Sequence, residues 1–277
     1  MKNNPDIIWL DVAESSNDEA RKAIDSLDNL SVVAVRCQTS GRGRQENVWV
    51  SAPGENLTFS IVLKSDGLSI NARDQFAISQ AVSLAVADLL AEHGIEAQIK
   101  WPNDIYVGNR KICGILIENA IHGNKIAWSI AGIGLNVNQI CFPASLPNPT
   151  SMALESEVTP ITDQEPISLE ALLAEFQQIF ISYCNRYLHI AGGLKKLRQL
   201  YLSLLWHKDQ PQEFIDHRTS QGHTTGTVAG DAIQADAHTS HRFTGTICGI
   251  SDHGHLLIKI KKGELLEFAF NEISYIL

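Results

Sequence analysis

The run from Asp74 to His93 leaves this chain the least freedom. Phe76, Val82, Val86, Leu89 and Leu90 recur at near-helical spacing, and Gly94 stands just past the end, where a left-handed residue closes a helix. That stripe is core, not binding surface. Strand-like runs lie on either side of it. Ser31 to Gln38 is rich in valine, Leu57 to Lys64 alternates, and Ile105 to Val107, Ile112 to Glu118 and Lys125 to Val137 follow. Ile7 to Leu10 is a first strand, leading to a helix expected from Asp18 to Leu27, with Glu14-Ser15-Ser16-Asn17 at its cap. Prolines and turn residues fill Cys141 to Pro166, and Ile167 to Leu188 and Gly193 to Trp206 read as two closing helices. From about Phe214 the character changes to short β-prone runs separated by turns, a small barrel or sandwich. The expected organisation is a main domain over 1–210 and a small one over 211–277.

Charge and cysteine usage exclude several classes. Thirty-one acidic against 22 basic side chains give a net charge of -9, which repels phosphate backbones and argues against nucleic acid as a partner. The first six residues are too few for a DNA-binding helix-turn-helix and hold no apolar segment of a secretory signal. Five widely spaced cysteines without a C-x-x-C pair suit a reducing compartment rather than a disulfide framework or a structural zinc. The longest uncharged apolar-rich run, Gln75 to Ala87, is too short to span a bilayer, which takes about 20 residues. A soluble, cytoplasmic protein without membrane partners is the expectation.

Chemistry concentrates in a few stretches. Gly41-Arg42-Gly43-Arg44 interleaves glycines, which let backbone approach a ligand, with guanidinium forks that match carboxylate and phosphate oxygens. The stretch is neither a Walker A loop nor a dinucleotide fingerprint, and a basic surface turn is the plainer account of it. It ends at Trp49. Lys100-Trp101-Pro102-Asn103-Asp104 places a lysine and tryptophan before a proline turn. Lys111 opens the run Ile112-Cys113-Gly114-Ile115-Leu116, and Gly114 inside a strand signals close approach of a ligand or backbone. Gly132-Ile133-Gly134-Leu135-Asn136 is a second glycine-bearing strand ending in asparagine. Plainer accounts stand beside each: capping for Ser15, Ser16 and Asn17, a solvated edge charge for Lys111, a turn carboxylate for Asp104.

Together these four stretches, with Ser15-Ser16-Asn17 as a fifth and Gln38 and Trp49 beside the arginines, resemble the biotin protein ligases in order and rough spacing, from about Glu14 to Leu277. The resemblance implies an α+β fold related to class II aminoacyl-tRNA synthetases, with an SH3-like C-terminal barrel, which agrees with the elements read above. It implies a monofunctional enzyme that makes biotinyl-5′-AMP from biotin and MgATP, then transfers biotin to a lysine of a biotin carboxyl carrier protein or domain. Ser15, Ser16, Asn17, Gln38, Gly41, Arg42, Gly43, Arg44, Lys111 and Gly114 match the family's biotin positions. Arg44, Trp49, Lys100, Asn103, Lys111 and Asn136 match its ATP positions, with Arg42, Arg44, Lys111 and Asp104 in catalytic roles and no protein-held metal beyond the Mg2+ that arrives with ATP. The resemblance leaves monomer and homodimer both open.

The chain also departs from the family. Glu46 stands where a glycine is frequent, Ser16 where a threonine is, and 218–242 is an unusual insertion. Thr225-Gly226-Thr227-Val228 in that insertion is echoed by Thr244-Gly245-Thr246-Ile247, and His217, His223, His238, His241, His253 and His255 gather around it without metal-ligand spacing. Two rivals to the leading reading are a lipoate ligase and a biotin-binding sensor that has lost catalysis. The arginine loop and C-terminal barrel favour biotin over lipoate, and Arg42, Arg44 and Lys111 favour an enzyme over a sensor.

Overall fold

A computed structural model describes residues 5–44, 47–65, 70–156, 165–218 and 241–276. The chain divides into two compact units, Met1–Trp206 and His207–Leu277.

The first unit is built on a seven-stranded sheet, among the described residues, of order β1-β2-β3-β7-β6-β5-β4. Its strands are β1 (Ile7–Ala13), β2 (Val32–Gln38), β3 (Leu57–Lys64), β4 (Gln98–Lys100), β5 (Asp104–Val107), β6 (Arg110–His122) and β7 (Lys125–Leu135). β1 and β2 run parallel, and every other pairing is antiparallel. Helix α1 (Ser16–Lys22) lies in the crossover that a parallel pair requires. It begins earlier and ends sooner than expected: Ser15 holds the cap position but its side chain makes no capping bond, and Ala23 to Leu27 continue as tight turns. Capping therefore does not explain the Ser-Ser-Asn run.

Helix α2 (Phe76–Glu92) is buried almost all round, beyond the single stripe its sequence displays. It packs on β4, β5 and β6 on one side and on α4 (Leu169–Tyr183) and α5 (Gly193–Ser203) on the other, so it is the middle layer. Ala77, Ala81, Ser83, Ala85 and Ala87 are buried along with its larger side chains. Gly94, at φ 76°, ends it. A short helix, α3 (Met152–Glu155), is capped by the Ser151 hydroxyl and follows the Pro-rich connection. The α4 helix stops before the expected Leu188, with Cys184–Leu188 winding more widely. None of the described helices is long and apolar enough to cross a membrane.

The second unit is a small antiparallel sheet of order β11-β10-β9-β8-β12, open among the described residues. It comprises β8 (Pro211–Asp216), β9 (His241–Ile250), β10 (Leu256–Ile260), β11 (Leu265–Phe268) and β12 (Ile273–Tyr275). Stacked Phe214, Phe243 and Phe268 form its core, and Arg218 lies 4.0 Å over the Phe268 ring while pairing with Asp216 at 2.6 Å. Residues 219–240, and with them most of the insertion, His223, His238 and the first Thr-Gly-Thr copy, lie outside the described residues, as does Glu46. His217 meets Ser274 and His255 meets Glu267 at 2.9 Å, and no cluster of three or more metal-binding side chains forms among the described residues.

Candidate active site

Two rows of residues cross the sheet of the first unit, two positions apart and therefore on one face. The first runs Ser60 (β3), Gly132 (β7), Leu116 (β6); the second runs Thr58, Gly134, Gly114 and then Asp104 (β5). Each row has a glycine where a side chain from elsewhere lies down.

On the first row lies Asn17. A Cβ at Gly132 would stand 2.2 Å from Asn17 Oδ1, so glycine is needed there. The parallel register that sets Ala13 opposite Gln38 brings the start of α1 to the end of β2. Gln38 Oε1 accepts the Ser16 backbone N–H at 2.7 Å. Ser60 Oγ lies 2.6 Å from Asn17 Oδ1 and 2.8 Å from Ser16 Oγ, and Ser60 is fully buried. Asn17 Nδ2 donates to Glu118 Oε2 at 2.8 Å and to the Leu116 carbonyl at 3.3 Å. Ser15, Ser16 and Asn17 are all buried. The Glu118 carboxylate also receives Arg21 at 2.5 Å and Arg42 at 3.3 Å, and Arg42 reaches Asp18 at 2.7 Å. This end is a closed hydrogen-bonded network.

Residues 41–44 and 47–49 of the arginine loop pair with one another. Trp49 N–H donates to the Gly41 carbonyl at 2.9 Å, Gly43 N–H to the Asn47 carbonyl at 2.7 Å, and Arg42 bridges Val48. A Cβ at Gly41 would meet the Trp49 carbonyl oxygen at 2.4 Å, so the close return of the chain requires that glycine. The return lays the Trp49 indole on the second row. A Cβ at Gly134 would be 2.2 Å from the ring and one at Gly114 3.0 Å from it, and these two glycines are cross-strand partners. The indole Nε1 is buried without a partner.

Cations surround the far end of that row. Lys111 Nζ pairs with Asp104 at 2.7 Å and sits 5.8 Å from the centre of the Trp49 ring. Lys100 donates to the Tyr106 hydroxyl at 3.0 Å and lies over the Tyr106 and Trp206 rings. Burial brings its ammonium down to about 8, with Lys111 adding to the fall and Asp104 opposing it. Burial raises the Tyr106 phenol to about 12. Arg44 is half-buried and its basicity is lowered by that burial, against the pull of Asp104. Asn103 turns away from this group: its amide donates to the Ile115 carbonyl and its own carbonyl accepts Ile115 N–H, both at 2.9 Å, which fixes the turn beside β6. Asn136 donates to the Thr150 carbonyl at 2.8 Å, and its Oδ1 is buried without a partner.

All the residues singled out in the sequence, apart from Asn103 as a direct contact, thus line one face of the sheet or its loop. Ser60, Glu118, Asp18 and Arg21 were not singled out, although each carries bonds in the network. Two signals were present: Ser60 interrupts the apolar run Leu57–Lys64, and Glu118 falls at even spacing from Gly114 on one strand.

Residues 9–136 match the model of the biotin/lipoate A/B protein ligase family. The chain is 32% identical over 211 residues to biotin–protein ligase 1, chloroplastic, of Arabidopsis thaliana, covering 74% of this chain and 53% of that protein. It spans roughly half the length of the curated relatives it matches. Among solved structures, the biotin protein ligase of Aquifex aeolicus in complex with biotin and ATP superposes with a TM-score of 0.71 at 21% identity, over 98% of each chain. The Leishmania major enzyme in complex with biotinyl-5-AMP gives 0.59 at 17% identity, over 96% of this chain and 99% of that one. These likenesses establish a mixed α+β fold with one large and one small sheet.

Proposed function

We propose that this chain, which carries a domain of the biotin/lipoate A/B protein ligase family in residues 9–136, is a biotin protein ligase. The observation that carries the reading is the juxtaposition on one sheet face: hydroxyl and amide groups, anchored on Glu118, along the Gly132 row and a cation-rich end on the Gly114–Gly134 row. Biotin has the same polarity, a neutral ureido ring at one end and a carboxylate at the other.

Ser15, Ser16, Asn17 and Gln38 hold the ureido group, and Gly41 and Gly43 bring loop backbone against the ligand. A biotin carboxylate oxygen attacks the α-phosphorus of ATP. The bond to the bridging oxygen breaks, and pyrophosphate departs with its electron pair. Both reactants are anionic, so the fixed charges of Arg42, Arg44 and Lys111 lower the barrier by meeting charge as it develops. Trp49, lying on Gly114, covers the mixed anhydride and keeps water from it. Lys100 and Asn136 face the nucleotide, while Asn103 fixes the turn beneath them. A carrier lysine then attacks the acyl carbon, AMP leaves, and the amine loses one proton. Asp104, within 2.7 Å of Lys111, is the carboxylate placed to orient or deprotonate that amine.

Mg2+ would enter with ATP and neutralise phosphate charge. The buried, unpartnered Oδ1 of Asn136 is the hard oxygen donor such a cation takes. The partner is a biotin carboxyl carrier protein or domain. We read residues 1–210 as the catalytic domain, of the class II synthetase-like type, and 211–277 as an SH3-like domain, the chain acting in the cytoplasm as monomer or homodimer.

Incubation with ATP, labelled biotin and a carrier domain should yield labelled carrier and pyrophosphate. Unlabelled carrier with intact ATP would overturn the reading, and label from lipoate in place of biotin would move it to the sister activity.

A further inference from the structure

We propose that Glu118 is a positioning residue that sets the direction of every hydrogen bond in the Ser16–Ser60–Asn17 chain, and thereby makes the pocket select ligand N–H groups. The inference rests on the biotin-ligase reading and adds a determinant of specificity to it.

The argument is one of proton counting. An ionised carboxylate accepts and cannot donate. Glu118 is held by the guanidinium groups of Arg21 at 2.5 Å and Arg42 at 3.3 Å, so it is anchored as an acceptor. Its contact with Asn17 at 2.8 Å must then involve the Asn17 NH2. The second proton of that amide goes to the Leu116 carbonyl. Asn17 therefore has no proton left, and its Oδ1 faces Ser60. Ser60 has one proton, and the 2.6 Å contact with an acceptor-only oxygen takes it. The Ser60–Ser16 contact at 2.8 Å is then served by the Ser16 proton. The Ser16 backbone N–H is spent on Gln38 Oε1 at 2.7 Å, which leaves Gln38 its NH2.

Every proton along the chain thus points toward Glu118. Ser16 Oγ is left with lone pairs only, and the Gln38 amide with protons. That is the complement of a cyclic urea, which offers N–H on its flanks and a carbonyl oxygen. A ring without N–H, such as a dithiolane, gains nothing from the same oxygen.

Glu118→Gln tests the idea because it keeps size and removes the anchor. The glutamine carbonyl goes to Arg21 and Arg42, and its NH2 faces Asn17. The Asn17 amide then turns over and gives up its bond to the Leu116 carbonyl, Ser60 receives a proton from it, and Ser60 donates to Ser16. Ser16 Oγ now presents its proton to the ligand. Biotin should bind roughly ten- to a hundredfold more weakly, the scale set by leaving one buried group mismatched.

The discriminating readout is a ratio. Two biotin analogues, each with one ureido N–H replaced by an ether-type oxygen, are titrated calorimetrically against wild type, Glu118→Gln and Ser60→Ala in the absence of ATP. For one analogue, wild type should prefer biotin strongly, and Glu118→Gln should shrink that preference by about tenfold or more. Ser60→Ala frees the Ser16 proton without touching the carboxylate, and should shrink it too. An unchanged ratio in both variants, with folded protein by circular dichroism, overturns the proposal. Should Glu118→Gln not fold, Ser60→Ala alone decides by the same ratio. Failure of the underlying reading looks different: wild type itself would bind no biotin.

Discussion

The two glycine rows are built on one principle and finished differently. At Gly132, Asn17 fills the space and both polar atoms of its amide have protein partners. At Gly114 and Gly134, Trp49 fills the space but its Nε1 has none; beyond it Asn136 Oδ1 is also unpartnered and Lys100 is held at reduced basicity. A buried polar atom without a partner costs about 1–3 kcal/mol. The first end is therefore largely ordered before ligand arrives, and the second carries cost that an acceptor would relieve at the indole N–H and a cation at the Asn136 oxygen. On the biotin-ligase reading, the neutral half of the ligand would meet the hydrogen-bonded end and the charged half the cationic one.

The comparison can be broken most directly at Lys111. Lys111→Ala should lower biotin-dependent pyrophosphate release by roughly two to three powers of ten, since it removes a cation used as charge develops. Calorimetric biotin binding without ATP should change little. Release at near wild-type rate would remove Lys111 from the chemistry.

The arginines sharpen the contrast, because the ion pairs assign them to different ends. Arg42 is tied to Asp18 and Glu118, in the network, whereas Arg44 is half-buried near Asp104. Arg44→Ala should depress single-turnover adenylation about a hundredfold with biotin affinity nearly intact. Arg42→Ala should weaken both and let adenylate escape. Identical losses of biotin affinity in the two variants would erase the division.

A smaller effect is expected at the floor of the second row. Gly134→Ala forces a Cβ to within 2.2 Å of the indole, so the ring must leave its place. Overpacking of this kind costs about 1–3 kcal/mol, and the denaturation midpoint should fall accordingly. Adenylate should also hydrolyse about tenfold faster in solution assays as the shielding is lost. An unshifted midpoint with native tryptophan emission would mean the ring moves freely.

The smallest signal is protonic. Lys100 sits at about 8, so near that pH about half of it is neutral. An arriving triphosphate raises the pKa of a nearby ammonium, so ATP binding should take up a fraction of a proton there. Calorimetry in buffers of differing ionisation enthalpy measures that uptake, and Lys100→Met should abolish it. The same burial has a stability consequence of fixed sign. Between about 8 and the ordinary lysine value of 10.5 the unfolded chain binds more protons, so stability rises with pH across that window and levels off above it.

The helices and most strands were legible because their patterns are local. Phe76 to Leu90 declares a helix, and Leu57–Lys64 a strand, from spacing alone. Pro211–Asp216 and Ile273–Tyr275 were not recognised, being short and mostly polar or half-exposed, and they are strands because they pair with each other and, through β8, with β9. The loop and glycine motifs revealed most of the second row. On the first row Ser15, Ser16, Asn17 and Gln38 were singled out, but Ser60, Glu118 and the contacts that join them stayed hidden because they link distant positions. Asn17 and Glu118 stand 101 residues apart, and nothing local says that an asparagine at a helix start will lie on a glycine in β7. The even spacing of Gly114 and Glu118 placed them on one face but could not name their partners.

The strand order carries one more implication. β3 has β7 rather than β4 as its neighbour, so the hairpin of β6 and β7 must dock against β3 before Asn17 can find Gly132 and Glu118. The closure spans most of the first 135 residues and carries the entropy of a long loop. Partially assembled chains, with α1 and the first three strands formed, still lack half of the polar pocket. Ligand affinity is thereby reserved for chains whose central sheet has closed. On the biotin-ligase reading, free biotin should add stability only to chains whose central sheet has closed.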